Sequence, residues 1–466
     1  MQAVSLKQMT VVSAKEVNAG AFQVPHGDPI ADVPAFCRVQ IKAQPTAESR
    51  IGIEVWLPLQ GWNGRLLGTG NGGFAGRLAY GSLANGIRQG YATANTDTGT
   101  NPEAGYFPSP EVIVDWASRS VHLMTVAAEE ITSAFYGTKA KKRYFSGCSS
   151  GGQEGLTEAQ RYPEDYDGIL AGAPAHDRVD VHVAALWNWL AVHRGQEALL
   201  TSHDLELLSN AVARACPSVG GVVMDPAACR FDPSVLSCKA EAKAGECLKP
   251  EQIAAVKKIY SGPVNPRTGR QIYPGLAYGS ESQWTALLAP EHGDGSMPYV
   301  GLFKAALGSG WKSAAEFRFD EDTEAVEKRL SAQVNATDPN LDAFRAHGGK
   351  LLLTHGWADP IISPGRTIQY AEKLQQRYGA SSDAFVRLYM IPGLAHCGGG
   401  PGATRFNNLQ TLTAWVEESR APREITVVDG TGQRSALLCP YPAKPEYRGT
   451  GSRTTGSAYS CVEPKE

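Results

Sequence analysis

The chain has 466 residues, a formal net charge of −3, 42% hydrophobic and 20% charged residues, which is the balance of an ordinary soluble globular protein with room for a large core. That balance excludes a disordered or fibrous chain and gives no basis for nucleic-acid binding by bulk charge, and no apolar run approaches the ~20 residues that cross a bilayer. Two counts stand out: 50 glycines with 29 prolines, which imply many turns, and nine cysteines, an odd number.

The start, Met1 to Gly20, lacks a basic segment followed by an apolar one, so no retained signal peptide is expected. Ile51 to Pro58 (IGIEVWLP) alternates β-branched and polar residues as a strand does, and Arg65 to Gly68 leads a second strand into the glycine-rich Gly68 to Gly76. Gly90 to Asp97 reads as a third strand. Val112 to Tyr136 carries apolar residues at helical spacing, among them Val114, Val121, Met124, Ala128 and Ile131. A strand at Arg143 to Ser146, a helix at Gly151 to Arg161 ended by Tyr162-Pro163, and a strand at Asp167 to Ala171 follow. This β-α-β-α-β rhythm is the signature of a parallel sheet in an α/β fold. Regularity then fails: the middle of the chain holds helical patches (Val181 to Val192, Asp204 to Ala215, Pro250 to Tyr260) without alternating strands, and reads as an inserted lid. The rhythm resumes with a strand at Lys350 to Thr354, a helix at Gly365 to Gln375, a strand at Val386 to Ile391 and a helix near Leu409 to Glu418. The expected organisation is core over 1–174, lid over 175–340 and core again over 341–466.

Cys216, Cys229, Cys238 and Cys247 crowd together in the lid, and no C-x-x-C pair occurs, which argues against a zinc knuckle or a thioredoxin-type redox site. Spacings of 13, 9 and 22 residues for 216/229, 238/247 and 439/461 suit local disulfides in an oxidising compartment. The alternative, buried free thiols in a cytosolic enzyme, sits poorly with four cysteines in a Gly/Pro-rich loop region.

Between the strand at Arg143 and the helix from Gly151 lies Gly147-Cys148-Ser149-Ser150-Gly151, a G-x-S-x-G in the strand-turn-helix setting of a nucleophile elbow. A serine hydroxyl needs a general base oriented by a third group. In an α/β-hydrolase core the chain order is Ser, acid, His, and Asp359 and His396 each follow a predicted strand in that order. Asp359 also suits a turn before Pro360, His396 could be a satisfied loop histidine, and His355 competes as base but precedes the acid. Cys148 adjoins the serine and Cys397 adjoins the histidine; a disulfide between them would hold their Cα atoms roughly 5–6 Å apart and so set Ser149 beside His396. The oxyanion hole is expected from the N–H of Ser150 with that of Gly73, Gly72 being nearly equivalent. A phosphate-loop reading of Gly68 to Gly76 lacks the Lys-Ser/Thr ending.

These residues resemble the tannase and feruloyl esterase family, which includes mono(2-hydroxyethyl) terephthalate hydrolase. The resemblance covers nearly the whole chain, through Trp62-Asn63-Gly64, Gly70-Asn71-Gly72-Gly73-Phe74, Thr96-Asp97-Thr98-Gly99, Gly147 to Gly152, Glu158 to Pro163, Tyr166-Asp167-Gly168-Ile169, Ala171 to Pro174, His355 to Pro360, Pro392-Gly393-Leu394 with His396-Cys397, and Cys439 to Pro442. It implies an α/β-hydrolase core with a large inserted lid, a Ser149, Asp359, His396 triad, a Cys148–Cys397 disulfide beside it, bridges 216/229, 238/247 and 439/461, and a small-molecule aromatic ester as substrate. Two departures are visible. The acidic calcium loop of the family's lid reads Cys216-Pro217-Ser218-Val219-Gly220-Gly221-Val222-Val223-Met224-Asp225 here, with one carboxylate where a hard cation needs several oxygens, so no calcium, no metal and no other cofactor is expected. The family's early cysteine has no counterpart ahead of Cys37, which leaves Cys37 unpaired.

The implied reaction is hydrolysis of feruloyl (hydroxycinnamoyl) or galloyl esters through an acyl-enzyme. A terephthalate monoester as substrate, or acyl transfer on the same fold, is the alternative, and a non-hydrolytic binding protein would not need the intact triad. Trp187, Trp189, Tyr278, Trp284 and Tyr299 are candidate lid aromatics for an aromatic acyl group, against the plainer reading that they form lid core. No nucleic-acid or membrane partner is expected, and the protein reads as periplasmic or secreted with its signal peptide removed in processing or cloning. Asn335-Ala336-Thr337 is a glycosylation sequon for a eukaryotic source only.

Overall fold

The structure is a computed structural model that describes residues 6–104, 106–193, 195–239, 245–288, 300–308, 310–311 and 313–464. The chain divides into two compact units, one of Met1–His176, Ala332–Leu352 and Leu412–Arg420, the other of Asp177–Ser331, Leu353–Thr411 and Ala421–Glu466.

Nine strands form the central sheet: β1 (Met9–Val17), β2 (Phe36–Ala43), β3 (Ile51–Pro58), β4 (Arg65–Thr69), β5 (Ala92–Thr96), β6 (Lys142–Cys148), β7 (Gly168–Gly172), β8 (Lys350–Gly356) and β9 (Val386–Ile391). Their order is β1-β2-β3-β5-β4-β6-β7-β8-β9. β1, β2, β3 and β5 pair antiparallel in succession, whereas β5/β4, β4/β6 and β6/β7 are parallel. The crossover between neighbours β4 and β6 contains β5 and several helices, among them α1 (Tyr80–Arg88) and α2 (Ser120–Tyr136), because parallel strands cannot be joined by a tight turn.

The first unit shows how its sequence is buried. β3 alternates in composition yet is buried along nearly its whole length. Its Glu54 is 2% exposed and is satisfied from within by Arg38 Nε at 2.8 Å, Gln40 Nε2 at 3.1 Å and Trp56 Nε1 at 2.9 Å. Such a paired, hydrogen-bonded charge is the form in which a carboxylate tolerates an interior. The helix predicted over 112–136 is divided: Pro110–Val114 is α-helical, Asp115–Arg119 forms a wider π turn, and α2 then runs to Tyr136, where Gly137 at φ 70° ends it. β1 and β2 stand where no strand was expected. Cys37, Val39, Ile41 and Ala43 are buried in β2, a period-two pattern the sequence does carry.

In the second unit the segment from Asp177 is mainly helical: α3 (Arg178–His193), α4 (Ser202–Ala215) and α5 (Pro250–Ser261) gather around Leu208, Val212, Val256, Ile259 and Trp284. Thr201 caps α4 by accepting from Asp204 N–H at 3.1 Å, and Pro250 occupies the first turn of α5, where its missing N–H costs nothing. Farther along come α6 (Pro364–Tyr378), which follows β8, and two antiparallel pairs, Ile425–Val428 with Ser435–Leu438 and Lys444–Tyr447 with Tyr459–Val462.

Candidate active site

β6 ends at Cys148, and the helix of the nucleophile turn, Ser150–Arg161, begins two residues later, so Ser149 alone makes the turn, at φ 64° and ψ −120°. A non-glycine residue held there stores on the order of 1–3 kcal/mol. Its surroundings supply the restraint: Ser149 N–H donates to Gly172 C=O at 3.0 Å, and Ser149 C=O accepts from Gln153 N–H at 3.1 Å and Ala175 N–H at 3.0 Å. Position 147 admits no side chain, because a Cβ on Gly147 would lie 2.4 Å from the carbonyl oxygen of Gly151. Ser149 itself stays partly exposed, while Ser150 behind it is buried.

The glycine-rich loop after β4 meets this turn within the same unit. Ser150 Oγ donates to Gly73 C=O at 2.7 Å, and Gly151 N–H donates to Asn71 C=O at 2.7 Å. Among the described residues, no acceptor pairs with the N–H of Gly72, Gly73 or Ser150. Donors left unpaired on two adjoining segments are what an oxyanion needs. The far end of the loop is tied by Gly76 N–H to Asp97 C=O at 2.9 Å. Asp97 Oδ1 in turn accepts from Gly52 and Gly99 N–H at 2.9 and 2.8 Å; burial outweighs these bonds and pushes its carboxyl up to about 6.

In the other unit, Asp359 follows β8 and His396 follows β9. Asp359 is fully buried; its Oδ1 accepts from the N–H groups of Ile361 and Ile362 at 2.9 and 3.0 Å, and its Oδ2 faces His396 Nδ1 at 2.8 Å. Burial alone would raise this carboxyl, but hydrogen bonds from His355 and His396, with their charges, overrule it and hold Asp359 well below the usual carboxylate range. His355 is also buried: Nδ1 meets Thr367 Oγ1 at 2.8 Å, and Nε2 meets Ile362 C=O at 3.0 Å and Asp359 Oδ2 at 3.3 Å. With both nitrogens engaged, His355 braces the acid loop. His396 is partly exposed, at 19%. Thus Ser149, Ser150 and Gly73 assemble in one unit, and Asp359 and His396 pair in the other.

Cys216–Cys229, Cys238–Cys247 and Cys439–Cys461 are bridged, Cys148 and Cys397 are each disulfide-bonded, and Cys37 is a buried free thiol, raised by that burial. Asp225 accepts an ion pair from Lys444 Nζ at 2.8 Å. Trp284 is fully buried with Nε1 donating to Ser280 Oγ at 2.8 Å, and Tyr278 packs on the same apolar cluster. Trp189 stacks on His193 at 4.2 Å, and Trp187 Nε1 donates to Lys258 C=O at 2.9 Å; Tyr299 lies outside the described residues. One charged group had no signal in the sequence: Arg366 on α6 reaches Asp177 Oδ2 at 3.1 Å and Asp180 Oδ2 at 3.2 Å, its guanidinium 4.7 Å over the Tyr273 ring. Burial first, then Asp177 and Glu327, push Asp180 up to about 8.

Glu158, on the nucleophile helix, is a second. It is 1% exposed, and among the described residues neither carboxyl oxygen has a hydrogen-bond partner. His122, Glu158 and Asp165 bring their ligand atoms within 4.8 Å of one another. The 2.7 Å contact of His122 Nδ1 with Asp165 Oδ2 is a hydrogen bond that a metal would have to break. Burial, reinforced by Asp165 and Glu154, raises Glu158 well above the usual range. A carboxyl raised on folding contributes stability in full below its unfolded value of about 4.5 and loses it as pH climbs through the folded value. Glu158→Gln, neutral throughout, is therefore expected to melt at or above the wild-type temperature at pH 8, with a flatter profile from pH 5 to 8; a large loss at pH 8 would mean that a carboxylate is required there.

The model of the family described as tannase and feruloyl esterase matches residues 37–462 of this chain. An uncharacterized esterase of Xanthomonas campestris pv. campestris is 33% identical over 520 aligned residues, covering 99% of this chain and 90% of that protein. The mono(2-hydroxyethyl) terephthalate hydrolase of Piscinibacter sakaiensis is 30% identical, over 86% of this chain and 80% of its own. The crystal structure of feruloyl esterase B from Aspergillus oryzae superposes with a TM-score of 0.89 at 28% identity, over 98% of both chains.

Proposed function

Because this chain belongs to the tannase and feruloyl esterase family and is a carboxylic ester hydrolase of the α/β-hydrolase fold, we propose that it cleaves esters of aromatic acids by two-step acyl transfer through Ser149, His396 and Asp359. Ser149 Oγ attacks the ester carbonyl carbon as its proton passes to His396 Nε2. The carbonyl oxygen takes the negative charge and is received by the N–H groups of Ser150 and Gly73. The bond to the alcohol oxygen then breaks, the alcohol leaves with the proton from His396, and Ser149 keeps the acyl group. Water, deprotonated by His396, attacks that acyl-enzyme; the acid departs and Ser149 recovers its proton. Asp359 fixes the tautomer with the proton on Nδ1.

The observation that carries this reading is the strained turn at Ser149, a conformation that persists only where its surroundings enforce it. The 2.8 Å bond between Asp359 and His396 supports the second half of the triad. The reading includes a Cys148–Cys397 disulfide, whose span of roughly 5–6 Å between Cα atoms would hold nucleophile and base side by side. Residues 175–340 serve in it as a lid closed by disulfides, with no calcium, since Asp225 is the one carboxylate between Cys216 and Cys229 and is spent on Lys444. The disulfides support a location in an oxidising compartment, the periplasm or the medium.

Initial rates on methyl ferulate, methyl gallate and mono(2-hydroxyethyl) terephthalate test the substrate class. The expected result is a kcat/KM for ferulate or gallate at least about tenfold above that for the terephthalate monoester, a gap of about 1.4 kcal/mol in transition-state binding. The reverse order would assign the site to terephthalate monoesters.

A further inference from the structure

We propose that Glu154 is a positioning residue that latches the oxyanion loop onto the nucleophile helix. The inference rests on the reading of Ser149 as nucleophile and Gly73 as oxyanion donor. Glu154 lies just over one helical turn beyond Ser149 and is 3% exposed. Its Oε2 accepts the N–H of Asn71 at 3.0 Å, and its Oε1 lies 3.4 Å from Asn71 Nδ2. Asn71 C=O returns to the helix by accepting Gly151 N–H at 2.7 Å, and Gly73 C=O accepts Ser150 Oγ at 2.7 Å.

These contacts join residues 71–73 to the first turn of the helix, so the two expected oxyanion donors are fixed relative to each other by the same bonds. The approach requires glycine at position 70, where a Cβ would lie 2.6 Å from Gly151 Cα, and leaves a Cβ at position 151 tightly placed, 3.0 Å from Gly70 Cα. By taking the Asn71 N–H, Glu154 also decides which loop donors remain for substrate, since the N–H of Asn71 points back into the helix and those of Gly72 and Gly73 stay unpaired among the described residues. A buried acceptor is needed for that N–H in any case; a carboxyl on the nucleophile helix supplies it and sets the loop's register at once. Oxyanion donors act only when preorganised to within a few tenths of an ångström, and loss of one costs about 10²–10³ in kcat.

The test compares Glu154→Ala and Glu154→Gln in the full chain, with kcat and KM on p-nitrophenyl acetate and inhibition by phenylboronic acid, which adds to a serine and places an oxygen in the hole. For Glu154→Ala, kcat is expected to fall about 10²-fold, with KM within roughly threefold of wild type and boronate affinity weakened in step with kcat. Glu154→Gln is expected to restore kcat to within roughly fivefold of wild type, because its amide oxygen can accept Asn71 N–H while its NH₂, in the place of the oxygen that now faces Asn71 Nδ2, pairs with Asn71 Oδ1 once the Asn71 amide turns over; that oxygen is buried and unpaired among the described residues. Should the alanine variant not fold, Glu154→Asp withdraws the acceptor by one methylene and is expected to show the same loss in kcat and boronate affinity. Unchanged kcat in the alanine or aspartate variant, or a rise in KM alone, or a glutamine variant as impaired as alanine, would overturn the latch. An inactive Ser149→Ala beside a fully active Glu154→Ala would refute only the latch, whereas an active Ser149→Ala would refute the reading beneath it.

Discussion

Ser149→Ala is expected to lose about 10⁴–10⁶ in kcat on any ester the wild type hydrolyses, while folding as the wild type does. The size of the loss follows from the division of labour. Without Oγ no acyl-enzyme can form, and what remains is direct attack by water helped by the donors on Gly73 and Ser150. Folding should survive because the hydrogen bonds that enforce the turn run through the backbone of Ser149 and not through its hydroxyl. The check is kcat on methyl ferulate beside a thermal melt; near wild-type turnover in a folded Ser149→Ala protein would end the serine-nucleophile reading. For the same mechanism, kcat/KM falls on acidification, as protonated His396 can no longer accept the Ser149 proton.

Asp359→Asn should cost about 10⁴ in kcat with little change in KM, and the structure indicates why an isosteric change is so damaging. Asp359 Oδ1 holds two backbone N–H groups, those of Ile361 and Ile362. An asparagine keeps these bonds only by placing its amide oxygen there, which turns the NH₂ toward His396. His396 Nδ1 must then accept, its proton moves to Nε2, and the nitrogen that is to take the Ser149 proton has no lone pair to offer. His355, whose Nε2 already meets Ile362 C=O, cannot take over as base. The same carboxylate governs acid stability: held below its ordinary value, Asp359 contributes stability above the unfolded carboxylate range and loses it as pH falls through its depressed folded value. The variant should therefore lose activity at every pH while its melting temperature depends less on pH at the acidic end. Kinetics and melts on one preparation separate the two effects; a loss of less than tenfold in kcat would mean that Asp359 does not orient the base.

How much of this was legible in the sequence depended on whether the signal was local. Gly147 to Gly151 advertises its turn because the geometry needs small residues in a fixed order, and the strand before and the helix after it lie within two residues of their expected bounds. Asp359 and His396 were legible for a similar reason, each following a strand of strongly apolar residues. Glu154 and Glu158 were not. The helix Ser150–Arg161 (SGGQEGLTEAQR) carries few apolar side chains, Leu156 and Ala159, yet every residue from Ser150 to Ala159 is buried. Its acids are interior groups, Glu154 paired with Asn71 far away in sequence and Glu158 raised by its burial, and no periodicity records that. β1 escaped notice because it is an edge strand with few buried positions, whereas the alternation in β2 was present and readable. The π turn at Asp115–Arg119 leaves no mark on an apolar spacing that continues through it.

The central claim, that Ser149 is the residue that carries the acyl group, is tested most directly by intact-mass and peptide mass spectrometry after treatment with an aryl-ester-mimicking fluorophosphonate. The expected result is one adduct per chain, on the peptide containing Gly147-Cys148-Ser149-Ser150-Gly151, formed in step with loss of esterase activity and absent from Ser149→Ala. Complete inactivation with Ser149 unmodified, or a Ser149→Ala protein that labels as fast as the wild type, would contradict it.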